Sequence, residues 1–171
     1  DHAQAYTIVT GDPTSSDLDY NAFGAGDVAD ISMTNQDDDP PGVNLNLVDL
    51  TTTETGTTAT IQFYTLSIPT NDVTVPLSLS DGTEGDLGGT TQIVITPANW
   101  NVPGNNQITI TGLDDSIDDG DITYSLITGD PTSIDGAYDG LGAVDVLDAT
   151  LTNTDNDTLG VTIAESAGST A

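Results

Sequence analysis

The sequence predicts an all-β domain made of two antiparallel sheets packed face to face, and three observations carry that expectation. Thr, Val, Ile and Gly are prominent, a composition that favours strands and turns over helix. Short apolar stretches of strand length recur between Gly, Pro and Asp turn signals. The chain is also internally repeated. Tyr6-Thr7-Ile8-Val9-Thr10-Gly11-Asp12-Pro13-Thr14-Ser15 returns 118 residues later as Tyr124-Ser125-Leu126-Ile127-Thr128-Gly129-Asp130-Pro131-Thr132-Ser133. The match continues without a gap through Tyr20 and Tyr138, Asp27 and Asp145, Asn35 and Asn153, Asp37 and Asp155, Asp39 and Asp157, and Gly42-Val43 and Gly160-Val161.

Within the one complete repeat, seven strands are predicted, over residues 43–50, 58–67, 73–79, 91–96, 106–112, 122–128 and 145–153. Their connections hold the breakers Pro69, Asp81-Gly82, Gly88-Gly89, Pro97, Pro103-Gly104, Gly120, Gly129-Asp130-Pro131 and Gly140. Alternation shows in Ile108 and Ile110, in Tyr124 and Leu126, and at Val146. Seven strands at this spacing imply an immunoglobulin-like β-sandwich. The predicted domain organisation is three-part: residues 1–39 as the last two strands of a preceding repeat, 40–157 as a complete repeat, and 158–171 as the first strand of a following one. Neither partial copy can bury a core alone, so the native polypeptide is expected to be longer. The chain does not begin with Met and shows neither a signal peptide nor a membrane-length apolar stretch, which points to a mature or excised piece.

Charge is the second organising fact. The 171 residues include 28 acidic side chains and no Lys or Arg, for a formal net charge of −28, which excludes nucleic-acid binding. Of the acids, 25 are Asp and three are Glu, whereas a general acidic coat would use both freely. Asp in short runs with Gly and Asn is what oxygen-lined metal loops use. The densest run is Asp114-Asp115-Ser116-Ile117-Asp118-Asp119-Gly120-Asp121, five carboxylates in eight residues. Two carboxylates about 6 Å apart repel by roughly 3 kcal/mol at an effective dielectric near 20, so such a loop needs cations. Hard oxygen ligands on a flexible loop suit Ca²⁺; zinc or copper would want the absent Cys or several His.

Alternating strand directions sort the acids by end of the sandwich. The first-to-second connection carries Glu54, the third-to-fourth Asp81, Glu84 and Asp86, and the fifth-to-sixth Asp114, Asp115, Asp118, Asp119 and Asp121. Asp155 and Asp157 follow the last strand, at the same pole. Their convergence is expected to hold two or more Ca²⁺. Because Asp155-Asn156-Asp157 leads directly into Leu159-Gly160-Val161, the pole should lie at a stiff junction between consecutive repeats. The equivalent upstream junction offers Asp37 and Asp39 before Pro40-Pro41, and Glu165 is the acid of the downstream partial copy.

Thr96-Pro97-Ala98-Asn99-Trp100, the Asp-rich loop and the ending Thr152-Asn153-Thr154-Asp155-Asn156-Asp157 together resemble the Calx-β superfamily, and more closely the tandem repeats of giant bacterial surface proteins and adhesins. The resemblance implies calcium at one pole, with Glu54, Asp81, Asp114, Asp115, Asp118 or Asp119, Asp155 and Asp157 as ligands. Glu84 and Asp86 stand off the family's order.

The remaining features have simpler explanations. His2 sits at a terminus, Trp100 is a packing residue before it is a sugar-stacking platform, and Asn156-Asp157-Thr158 is a glycosylation sequon by pattern only. Paired acids without Arg, Lys or a placed His make no glycosidase. The expected protein is a non-enzymatic, calcium-stabilised spacer repeat of an extracellular filament or cell-surface adhesin stalk, whose partners are adjacent repeats. The alternatives are a carbohydrate- or surface-binding module that contacts glycans or another cell surface, and an accessory repeat of a large secreted enzyme.

Overall fold

The computed structural model describes residues 3–163; His2 and Glu165 lie outside them. The chain divides into two compact units, residues 1–40 and 41–171.

The first unit is a hairpin. Strand β1 (Gln4–Ile8) pairs antiparallel with β2 (Ile31–Asn35), and a single helical turn, α1 (Leu18–Asn21), lies in the connection. Asp17 caps that turn by accepting the Asp19 N–H at 3.0 Å. The unit's polar fastening is at Thr10. Its N–H and hydroxyl both donate to Asp30 Oδ1, at 2.8 and 3.1 Å.

The second unit is a two-sheet sandwich of ten strands, several of them very short. In chain order these are β3 (Val43–Asp49), β4 (Thr51–Thr53), β5 (Thr58–Thr65), β6 (Val73–Leu79), β7 (Gly85–Asp86), β8 (Gln92–Ile95), β9 (Gln107–Gly112), β10 (Ile122–Thr128), β11 (Thr132–Ser133) and β12 (Ala149–Thr154). One sheet runs β3-β5-β9-β7; the other runs β11-β6-β10-β12-β4, with β8 also on β6. The all-β, immunoglobulin-like sandwich expected from the sequence is the observed fold. The third and sixth predicted strands have the observed boundaries.

Period-two burial explains why these residues form strands that pack. Ala59, Ile61 and Phe63 of β5, Ile108 and Ile110 of β9, Tyr124 and Leu126 of β10, and Ala149 and Leu151 of β12 all face one core. Fully burying a side chain such as Phe63 or Ile61 stabilises by about 1.5–3 kcal/mol. Tyr138 closes the far end: its hydroxyl donates to Ser67 O at 2.5 Å and accepts the Ser67 N–H at 3.3 Å. Trp100 is half-buried and packs on the core, as its packing explanation requires.

Several boundaries differ from expectation, each for a local reason. The first strand does not run unbroken over 43–50. Its register shifts between Leu47 and Asp49, and the chain then crosses to the other sheet as β4, parallel to β12. The last strand begins at Ala149, not at residue 145. Ala143–Asp145 is instead a 3-10 turn in which the Asp145 carboxylate accepts the Gly142 N–H at 2.8 Å, a side-chain bond that competes with the sheet ladder. β7 and β11 are two-residue strands too short to register as a pattern. Residues 158–163 form no strand, and Leu159, Val161 and Ile163 are exposed there.

Candidate metal centre

The strand switch at Leu50 builds the site. With β4 parallel to β12, Thr53 stands opposite Thr154, and the ladder continues one step as Glu54 N–H donates to Thr154 O at 3.1 Å. Glu54 is thereby held beside Asp155, about a hundred residues away in sequence. Glu54, Asp155 and Asp157 each place one carboxylate oxygen within 4.8 Å of the other two.

Backbone donors orient two of these carboxylates. Asp155 Oδ1 accepts the Asp157 N–H at 2.7 Å and its Oδ2 accepts the Gly120 N–H at 2.8 Å, while Glu54 Oε2 accepts the Asn156 N–H at 2.9 Å. Gly120 reaches this position at φ 79°, in the left-handed region where a side chain is strained. Asp157 is different. Its Oδ2 is shut off from solvent and has no hydrogen-bond partner. A buried carboxylate oxygen without a donor is costly, and a cation is the natural counterpart.

Electrostatics separates the three groups. The N–H groups of Asp157 and Gly120 hold Asp155 below the ordinary carboxylate range. The Asn156 N–H pulls Glu54 the same way, but burial and the charges of Asp155, Asp115 and Asp157 outweigh it and raise Glu54 overall. Asp157 is raised by burial first, then by Asp155, Asp114, Asp115 and Asp118. An all-oxygen donor set of like charges, with one oxygen unpartnered, fits a hard divalent cation.

The acidic loop 113–121 leans over the trio. Asp114 Oδ1 accepts from Asn156 Nδ2 at 3.2 Å, Asp121 Oδ1 from Asp155 N–H at 3.2 Å, and Asp118 Oδ2 from Leu159 N–H at 2.6 Å. Asp115 turns the loop by accepting the Ile117 N–H at 2.7 Å, and Asp119 donates its own N–H to Ile117 O at 2.9 Å. The third-to-fourth connection contributes otherwise. Asp81 is held low by the Thr83 hydroxyl and N–H, both of which it accepts, and Asp86 accepts the Gly88 N–H at 2.8 Å. Both carboxylates serve their own turns. Glu84 is buried below the trio, where its Oε2 accepts from Asn153 Nδ2 at 3.2 Å. Asp37 and Asp39 belong to the first unit, where Asp37 Oδ1 accepts the Asp39 N–H at 3.3 Å in the pattern of Asp155 and Asp157.

Three supporting residues were not anticipated from the sequence: Thr52, Asn153 and Asn156. Asn153 is buried and ties the floor together, donating to Glu84 and to Leu113 O at 2.9 Å and accepting from the Thr52 hydroxyl at 2.9 Å. The available signal was the repeat itself, since Asn35 occupies the matching place. Gly112 completes the floor. A Cβ there would meet Thr53 O at 2.4 Å and Asn153 Oδ1 at 2.6 Å.

The fold and site together define a β-sandwich with a carboxylate-lined pole. No protein family matches the chain by sequence, and no curated protein matches it. Among solved structures, the crystal structure of the apo form of the Calx CBD1 domain is similar, with 16% identity and a TM-score of 0.41 over 68% of this chain and 99% of that one. No described helix is long and apolar enough to cross a membrane.

Proposed function

We propose that this chain is a calcium-stabilised structural repeat that acts as a rigid spacer in an extracellular filament or a cell-surface adhesin stalk. The observation that carries the reading is the convergence of Glu54, Asp155 and Asp157, one of which has a buried oxygen without a partner, in a chain without a single Lys or Arg. Calcium suits the donor set because it accepts six to eight oxygens in flexible geometry, whereas magnesium keeps its waters. Asp114, Asp115 and Asp118 act electrostatically on Asp157, which makes them the candidates for further ligands or for a second ion. The spacer role rests on position. The chain leaves the site through Asp157 and Leu159, and Leu159 N–H is bonded to Asp118, so an ion here would stiffen the exit from the sandwich as well as its end. Millimolar calcium outside cells would keep such a site filled, which favours an extracellular setting, with neighbouring repeats as the partners.

A thermal melt in millimolar Ca²⁺, in EGTA and in Mg²⁺ tests the metal. The expected result is a large rise in midpoint with Ca²⁺ alone, since an ion that binds only the folded state stabilises it by mass action. Equal midpoints in the three buffers would reject it. Small-angle scattering on a multi-repeat polypeptide tests the spacer, with a longer, narrower particle expected in Ca²⁺.

A further inference from the structure

The Gln4–Asn35 hairpin reproduces the closing hairpin of the sandwich bond for bond. Gln4 faces Asn35 and Ile8 faces Ile31 in one; Ile122 faces Asn153 and Leu126 faces Ala149 in the other, the same register 118 residues on. The Thr10 fastening to Asp30 recurs as Thr128 N–H to Asp148 Oδ1 at 2.8 Å, and Thr10 Oγ1 to Val28 O recurs as Thr128 Oγ1 to Val146 O. The bonds of Gly24 to Asp27 and of Ala25 to Asp12 recur at Gly142 and Ala143.

What differs is cover. Tyr124, Leu126, Val146 and Leu151 are buried in the core, whereas their counterparts Tyr6, Ile8, Val28 and Met33 are 50%, 48%, 37% and 43% exposed. Tyr138 is bonded to Ser67 in the core, while its counterpart Tyr20 is 61% exposed. A two-stranded hairpin alone is marginal in water. This one presents a row of apolar side chains in the geometry that a known surface already accepts, namely the body of residues 43–112, strands β3 to β9.

We infer that the face of the Gln4–Asn35 hairpin carrying Tyr6, Ile8 and Met33 is a docking surface for a partial sandwich of the character of residues 43–112, strands β3 to β9, supplied by another repeat of this type. The hairpin is the preformed half of a second sandwich. The inference rests on the repeat and on apolar complementarity, and it extends the spacer reading without depending on calcium.

The test uses the full chain and, as probe, a polypeptide of residues 41–121 diluted from urea. Met33 is the single Met of the protein, so ¹³C-methyl labelling of Met gives one signal on the docking face. On adding the probe, the Met33 signal is expected to shift and to lose broadening by a soluble paramagnetic agent, with a 1:1 complex by native mass spectrometry. Capture is expected in EGTA as well as in Ca²⁺. Putting charges into the interface with Tyr6→Asp and Ile31→Asp should weaken it by about 100-fold or more. In case that variant loses the hairpin itself, Leu18→Asp, in the connection, serves as a charge control expected to retain capture. An unmoved Met33 signal, or capture unchanged by the two interface charges, would overturn the inference. So would a full chain that buries Met33 by self-association without the probe. If calcium still raised the melting point in any of these cases, the metal reading would stand without this one.

Discussion

Asp157 shows how one atom can define a site. One of its oxygens is buried without a hydrogen-bond partner, and burial first, then the charges of Asp155, Asp114, Asp115 and Asp118, raise its affinity for a proton. Glu54 and Asp155 each place a carboxylate oxygen within 4.8 Å of one of its own. Glu54→Gln removes one of these charges at constant shape. The expected result is opposite shifts: a higher melting midpoint in EGTA, where repulsion is relieved, and a calcium affinity about tenfold or more weaker by isothermal titration. Similar midpoints to the native chain in both buffers would mean that Glu54 is no ligand. Tyr124 makes a second residue-scale expectation. Burial raises it first, the Thr52 hydroxyl works against that, and Glu84 adds to it. An unfolded tyrosine ionises near pH ~10, so the folded state holds this proton more tightly. Its contribution to stability is therefore complete below pH ~10 and is lost as pH rises through the folded value. A tyrosinate absorbance titration should show a late phase that disappears in Tyr124→Phe.

At the scale of elements, the crossing of the first strand from one sheet to the other decides the geometry. β4 brings Thr52 onto Asn153 and Glu54 onto the exit of β12, and Gly112 lets β9 approach within contact of both. Gly112→Ala would drive a methyl group into Thr53 O and Asn153. Overpacking of this kind costs typically 1–3 kcal/mol, and it should lower both the EGTA midpoint and calcium affinity, because the floor and the ligands shift together. Leu126→Ala, in the middle of the core and remote from the carboxylates, should cost about 2–5 kcal/mol in a denaturant melt and leave the calcium-induced increment unchanged.

The whole molecule carries a charge of −28 with no internal cation, so its folded state repels itself. Raising monovalent salt from ~0.01 M to ~1 M shortens the screening length from about 30 Å to about 3 Å. In EGTA the melting midpoint should climb over that range, and in saturating Ca²⁺ it should climb much less, because the densest charge is already neutralised. Parallel salt curves would place the calcium effect away from the acidic pole.

Period-two apolar patterning, the 118-residue repeat and the shortage of cations were all open in the chain before folding. They determined the sandwich, the boundaries of strands such as Val73–Leu79 and Ile122–Thr128, and the choice of oxygen chemistry for any ligand. Those properties are local or self-referential: a strand buries alternate residues wherever it lies, and a repeat is compared with itself. The tertiary structure alone decided which acids meet. Asp81 and Asp86 carry the same side chain as Asp155 and Asp157, yet they turn their own loop while the latter pair joins Glu54. That selection depends on β4 leaving one sheet for the other and pairing in parallel with β12, a contact between residues about a hundred positions apart. No local preference encodes it. It follows from two sheets closing over one core, which leaves the end of the last strand beside the start of the first turn.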